Sequence, residues 1–290
     1  MHYDQVVFSG GGTRCFWHGG FMEVLAKRGP LKPARISSVS GGALSAASWI
    51  ADRERELMEI MGEAFDANGS NVDLAENNYT PHQEIYRQVV SDTLRREDIE
   101  AIADGPHFQV LLGHPPQNLP EKAGAALAVS LYELDQQVRS TPHLKLTEAA
   151  GIEGNLVDAK RAAREGRLID LICAAATIPP VFDTPEWDGR TVVDGGTVDK
   201  APVPDPDEGT TLLLLTRIYR NLPDIEGRTY LQPSEPVEAD KIDFTDRSKI
   251  EETWALGRRD AEAWLDGRTS AQRLTERSRP PPAVPRRPGG

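Results

Sequence analysis

In the first fifty residues, apolar positions come in short blocks separated by glycine-rich turns. Val6-Val7-Phe8 is a continuous apolar run that breaks off at Ser9-Gly10-Gly11-Gly12, so it predicts a buried strand closed by a tight turn. Thr13 to Lys27 predicts a helix, with Phe16, Gly20, Val24 and Ala26 on or near one side and Gly29-Pro30 as its stop. Ala34 to Val39 predicts a second strand, and the alanine-rich stretch Gly41 to Ile50 a second helix. Strand, glycine turn, helix, strand, turn, helix is an α/β alternation and favours a mostly parallel sheet.

Further on, residues 52–104 predict mainly helix, with Ile85, Val89, Leu94, Ile99 and Ile102 at roughly helical spacing between charges. Residues 104–122 are rich in Gly, Pro and His and predict a loop. Ala123 to Leu134 predicts a strand carrying Val129, Leu131 and Leu134. Residues 155–176 predict helix, ended by Ile178-Pro179-Pro180, since proline cannot continue the backbone ladder. Thr191 to Val193 predicts a short strand into Asp194-Gly195-Gly196. Leu212 to Leu215 is fully apolar and suits a central strand. Ile250, Trp254, Ala261, Trp264 and Leu265 mark an amphipathic C-terminal helix. The expected organisation is a domain over residues 1–267 and a disordered Arg/Pro-rich tail over 268–290.

Charge separates these two parts. The 290 residues carry a net −12. The tail holds Arg268, Arg273, Arg277, Arg279, Arg286 and Arg287 against Glu276 alone, a net +5 that leaves −17 on the body. An acidic body argues against a nucleic-acid-binding surface. The basic tail has two readings: a solvated end without a role, or a peripheral contact with anionic lipid headgroups. No apolar run approaches the ~20 residues that cross a bilayer. Two cysteines, Cys15 and Cys173, exclude a disulfide framework, and both are read as small buried packing groups. With no basic and then apolar leader pattern at the start, the expectation is a cytoplasmic protein.

Three segments carry candidate chemistry. Ser38-Val39-Ser40-Gly41-Gly42 lies between an apolar strand and an alanine-rich helix, the setting of a nucleophile elbow. Such a turn exposes the serine hydroxyl, and the positions two before and two after must be small because strand and helix backbones nearly touch. Gly42 meets that need; Ser38 stands where the G-x-S-x-G pattern has glycine. Gly10-Gly11-Gly12-Thr13-Arg14 also joins a strand to a helix, and its N–H groups can face negative charge. That fits an oxyanion hole or a dinucleotide loop, although Cys15 sits where the third glycine of the latter belongs. Val192-Val193-Asp194-Gly195-Gly196 reads by itself as a turn, and beside a serine as a source of a carboxylate base. None of His2, His18, His82, His107, His114 and His143 lies in a turn that looks catalytic, and His107 and His114 are expected at the surface. No spacing of His, Cys, Asp or Glu suggests a metal site.

In this order and with their flanks, the Gly10–Arg14 loop, the Ser40 elbow and Asp194-Gly195-Gly196 resemble the patatin-like phospholipase family. The likeness extends through His18 and Gly20, through Ile36 to Ala43, through Ala174 to Phe182, through Thr197-Val198-Asp199 with Pro202-Val203, and to Asp243–Asp246 before the last helix, or roughly residues 3–267. It implies a three-layer α/β/α sandwich of patatin type with a mostly parallel central sheet. It implies a Ser–Asp dyad, Ser40 as nucleophile and Asp194 as proton acceptor, with the Gly11 and Gly12 N–H groups as oxyanion hole, Gly10 shaping the turn and Arg14 supporting it. Ser38, Gly41, Gly42, Gly195 and Gly196 would support these motifs. The implied activity is hydrolysis of phospholipid or other lipid acyl esters through an acyl-serine, with no metal or cofactor. Residues 52–122 would build the acyl pocket. Departures are Ser38, Cys15 after Arg14, and Lys200 where the family often has Asn; none removes a catalytic side chain. The alternative is a weak or inactive relative that binds lipid or a partner through the same cleft, and a third reading is a nucleotide-binding protein using Gly10–Gly12.

Overall fold

The computed structural model describes residues 2–68, 82–116, 141–143, 151–179, 183–239 and 243–268. The expected strand at 123–134 and the tail beyond Arg268 lie outside these residues, as does Pro180-Val181-Phe182.

The strands are β1 (Gln5–Phe8), β2 (Arg35–Val39), β3 (His107–His114), β4 (Glu153–Asp158), β5 (Glu186–Trp187), β6 (Arg190–Thr191), β7 (Val193–Asp194), β8 (Thr211–Leu214) and β9 (Arg228–Leu231). The helices of six residues or more are α1 (Phe16–Arg28), α2 (Gly41–Ile50), α3 (Glu54–Ala67), α4 (His82–Thr93), α5 (Arg96–Asp104), α6 (Ala159–Arg164), α7 (Leu168–Ala175) and α8 (Arg247–Leu265). A 3-10 turn over Gly12–Cys15 leads into α1. The main sheet runs β4-β3-β2-β1-β8-β9, with β7 also paired to β3, and β5-β6 form a separate ribbon. β1, β2, β8 and β9 pair parallel, as do β2 and β3; β4 and β7 run antiparallel to β3. This is the expected α/β architecture, a mostly parallel sheet flanked by helices.

Alternation along the central strands sorts side chains to the two faces. Val6, Phe8, Leu212 and Leu214 join the larger core with Trp17, Phe21, Leu44 and Trp254. Val7, Leu213 and Leu215 pack on the other face with Tyr219 and Tyr230. α1 and α8 cross closely because a side chain at Gly20 would strike the Trp254 carbonyl, and one at Gly257 the Trp17 carbonyl. Trp17 Nε1 donates to Asp260 Oδ2 across that crossing at 2.8 Å. Trp254 and Trp264 are buried, as their helical spacing predicts.

Two stretches differ from the sequence expectation. Within the expected loop 104–122, residues 107–114 form β3, buried from Phe108 onward. Its apolar core Phe108-Gln109-Val110-Leu111-Leu112 is covered on both faces and pairs on both edges, which outweighs the glycine and prolines around it. His114 is accordingly buried, contrary to the surface position expected; its Nδ1 is 3.0 Å from the Thr191 carbonyl oxygen, and burial lowers its pKa. Within the expected helix 155–176, residues 155–158 complete β4, and helix starts only at Ala159. There the Asp158 side chain accepts from the Lys160 and Arg161 N–H groups and caps α6.

Candidate active site

β2 delivers its last residue, Val39, to the edge of the sheet, and the chain turns at Ser40 into α2. Ser40 has φ 55° and ψ −140°, a backbone state that a residue with a Cβ seldom holds without support from its surroundings. The support is close packing. A side chain at Gly42 would strike the Ser9 and Phe8 carbonyls, and one at Gly41 would strike Gly12. Ser38, the residue in place of the usual glycine, is fully buried and donates its hydroxyl to the Gln109 carbonyl of β3 at 3.4 Å. Its side chain thus lies toward the neighbouring strand, and the turn closes without a glycine there.

Asp194 reaches Ser40 through sheet register. β2 pairs with β3 up to Val39 opposite Leu111, and β4 occupies the far edge of β3 along its whole length from Gln109. β7 takes the edge that β2 has just left, with Asp194 opposite Leu112 and Val193 opposite Gly113. The Ser40 hydroxyl donates to Asp194 Oδ2 at 2.6 Å, and Oδ1 accepts the Gly196 N–H at 2.7 Å. Both side chains are nearly excluded from solvent, at 3% and 2% exposure. Burial raises the Asp194 pKa to about 6, while the Ser40 and Gly196 hydrogen bonds pull it back. Such a group is ionised at neutral pH and still basic enough to take a proton. Gly195 lies against the Leu111 carbonyl, leaving no room for a side chain.

The glycine loop runs past the same point. Gly10 N–H donates to the Lys200 carbonyl at 3.0 Å, and the Gly10 carbonyl accepts the Thr216 hydroxyl at 2.5 Å, so Gly10 anchors the loop. Gly11 is packed on Thr216, and Gly12 has φ 59°. Among the described residues, neither the Gly11 nor the Gly12 N–H has a backbone acceptor. Arg14 donates from Nε to the Ala239 carbonyl at 3.4 Å and ties the loop to the chain ahead of α8. Cys15 is buried inside the first turn, its thiol 3.6 Å from the Ser9 carbonyl oxygen.

Two environments meet at Ser40. On one side is an apolar cleft of about 50 Å³ walled by Phe16, Leu44, Leu57, Met61, Tyr86 and Phe244, three of them from the 52–122 span expected to do so. On the other is a small polar recess bordered by Arg14, Asp194, Lys200 and Arg217. Lys200 is buried, and its pKa falls to about 7, first from burial and then from Arg217 and Arg14. Thr216 and Arg217 carried no signal in the sequence; they follow an apolar strand and reach the loop only through the β1–β8 pairing. None of the six histidines hydrogen-bonds to Ser40. His18 is held neutral by burial, its pKa down to about 3, and His143 sits between Asp199 and Tyr230. Among the described residues, no cluster of three His, Cys, Asp or Glu side chains could hold a metal ion.

A family model for patatin-like phospholipases matches residues 6–207. The chain belongs to the patatin-like phospholipase family. The matched span contains the glycine loop, Ser40 and Asp194, and membership places the chain among lipid acyl hydrolases in general. Among solved structures, VipD from Legionella pneumophila is similar, with a TM-score of 0.50 at 12% identity, over 92% of this chain and 67% of that one. At that identity the likeness is one of fold alone. A search of curated proteins finds no match. No helix among the described residues of this patatin-like chain is long and apolar enough to cross a membrane.

Proposed function

We propose that the chain cleaves lipid acyl esters through an acyl-serine intermediate on a Ser40–Asp194 dyad. The observation that carries this reading is the 2.6 Å hydrogen bond from a serine in a strained strand-to-helix turn to a buried carboxylate. As Ser40 Oγ attacks the ester carbonyl carbon, its proton passes to Asp194 Oδ2. The carbonyl oxygen becomes an oxyanion and is met by the Gly11 and Gly12 N–H groups at the start of α1's leading turn. Collapse of the tetrahedral adduct expels the alkoxide, which takes the proton from Asp194 and leaves as the alcohol. Water then gives a proton to Asp194 and attacks the acyl-serine. Its collapse returns that proton to Ser40 and releases the fatty acid. The acyl chain enters by the apolar cleft, and the anchored Gly10 and Arg14 hold the loop in place.

Phospholipids are the favoured substrates, with the basic tail drawing the acidic body to anionic headgroups. The test is mass spectrometry of mixed phospholipid and neutral-lipid liposomes incubated with wild type, Ser40→Ala and Asp194→Ala. Free fatty acid and lysolipid formed by wild type alone support the dyad. Release by Ser40→Ala at the wild-type rate rejects it. No release by wild type favours a lipid-binding relative.

A further inference from the structure

Two cavities meet at Tyr86. The first is the apolar cleft of about 50 Å³ over Ser40. The second, of about 240 Å³, lies behind the ring between α4 and α7, beside Arg87, Cys173, Ala174, Thr177 and Trp187. Tyr86 is the one described residue that borders both.

Size makes this wall consequential. An apolar cavity of ~150 Å³ admits benzene, so on that scale the cleft has room for about two carbon atoms. That is far short of a membrane lipid's acyl chain. The larger volume is next door and shares the Tyr86 side chain with the cleft. Among the described residues, the buried Tyr86 hydroxyl has no hydrogen-bond partner. A buried hydroxyl without a partner is penalised, and a phenylalanine would fill the same place without that penalty. The ring position seen here is therefore held by packing alone. Turning aside into the opened cleft gives the hydroxyl water or ester oxygens to pair with.

We propose that Tyr86 is the partition that sets acyl-chain length. With the ring as it stands, the cleft accepts a short acyl group; with the ring turned aside, a long chain continues into the cavity between α4 and α7. There the chain would lie along Ala174 and Cys173, past the Trp187 ring that carries the Arg167 guanidinium at 3.9 Å, with the Arg87–Asp170 ion pair at 2.6 Å joining α4 to α7. This deepens the hydrolase reading of Ser40 and rests on it.

The experiment measures kcat/KM for p-nitrophenyl butyrate and p-nitrophenyl palmitate, and the rise in Tm produced by butyric and palmitic acid, in wild type and three variants. Tyr86→Ala joins the cavities, and the palmitate-to-butyrate ratio should rise at least tenfold. Tyr86→Phe removes the penalty on the closed position, and the ratio should fall. Cys173→Trp fills the second cavity from α7, and the ratio should fall at least fivefold. Ratios within twofold of wild type in the folded variants overturn the proposal; if Tyr86→Ala does not fold, the other two decide. If wild type cleaves neither ester, the hydrolase reading fails and the fatty acids decide. A palmitic-acid shift that Tyr86→Ala enlarges and Cys173→Trp abolishes upholds the partition, and an unchanged shift overturns it.

Discussion

Asp194 occupies the position beside Leu112 that β2 vacates after Val39, and from there its carboxylate accepts the Ser40 hydroxyl at 2.6 Å. Ser40 and Asp194 are thus brought together by backbone register on a shared strand, β3. Catalytic groups held on rigid elements keep the close geometry that proton transfer needs.

Removing either member should abolish turnover without unfolding the protein. Ser40→Ala and Asp194→Asn should each lower kcat/KM for a lipid ester by ~10³-fold or more, since residues acting as one unit are lost together. Initial-rate kinetics on both variants, and on the double variant, check this. The double variant should be no worse than either single one.

The pH dependence follows from the same carboxylate. With the Asp194 pKa near 6, kcat/KM should rise about tenfold per pH unit below pH 6 and level off above it. Stability should run the other way. The folded-state value lies above the ordinary 3.8, so the folded protein holds this proton more tightly than the unfolded chain. The penalty of the buried carboxylate is absent below pH ~4, grows as pH rises toward 6 and is complete above, reaching ~3 kcal/mol. Urea unfolding of wild type and Asp194→Asn at pH 4 and pH 8 checks this. The variant should gain relative stability only at the higher pH, by less than the full amount because its amide mispairs with one of two donors.

The elbow should tolerate change unequally. Gly42→Ala places a methyl against the Ser9 and Phe8 carbonyls, so it should lose ~2 kcal/mol or more and most activity. Ser38→Gly should keep kcat/KM within about threefold, because the serine hydroxyl already points to Gln109, and should lose roughly 1 kcal/mol from a freer strand. Thermal unfolding and initial rates separate the two.

Truncation after Gly267 should leave the melting temperature unchanged within about 2 °C, since among the described residues it removes only Arg268, with an exposed pairing to Asp266 and one helix-end N–H bond to the Ala263 carbonyl. Binding to vesicles containing phosphatidylserine, followed by sedimentation at low salt, should weaken severalfold and become less sensitive to added salt. Equal binding by the truncated and full chains would leave the tail without a membrane role.

The local units were legible in the sequence, and the long-range ones were not. The Ser40 elbow and the Gly10–Gly12 turn are continuous strand–turn–helix segments, so adjacent residues announce them. β3 was hidden because its buried run is flanked by His107, Gly113, His114 and the prolines Pro106, Pro115 and Pro116, a composition typical of loops. With β3 unread, nothing in the sequence could place Asp194 in the slot left by β2. β4 is half-exposed at the sheet edge and β9 has a mixed pattern, Arg228-Thr229-Tyr230-Leu231, so neither shows an apolar block. Lys200 and Arg217 border the recess only after β1 and β8 pair, and Tyr86 looks like any core position of an amphipathic helix.

The most direct test of the dyad is covalent labelling with an alkyl fluorophosphonate, read by peptide mass spectrometry across pH 5 to 8. The account predicts one adduct, on the peptide containing Ser40. Its rate of formation should climb through pH 6 and drop at least a hundredfold in Asp194→Asn. An adduct on another residue, or equal labelling rates in wild type and Asp194→Asn, would contradict it.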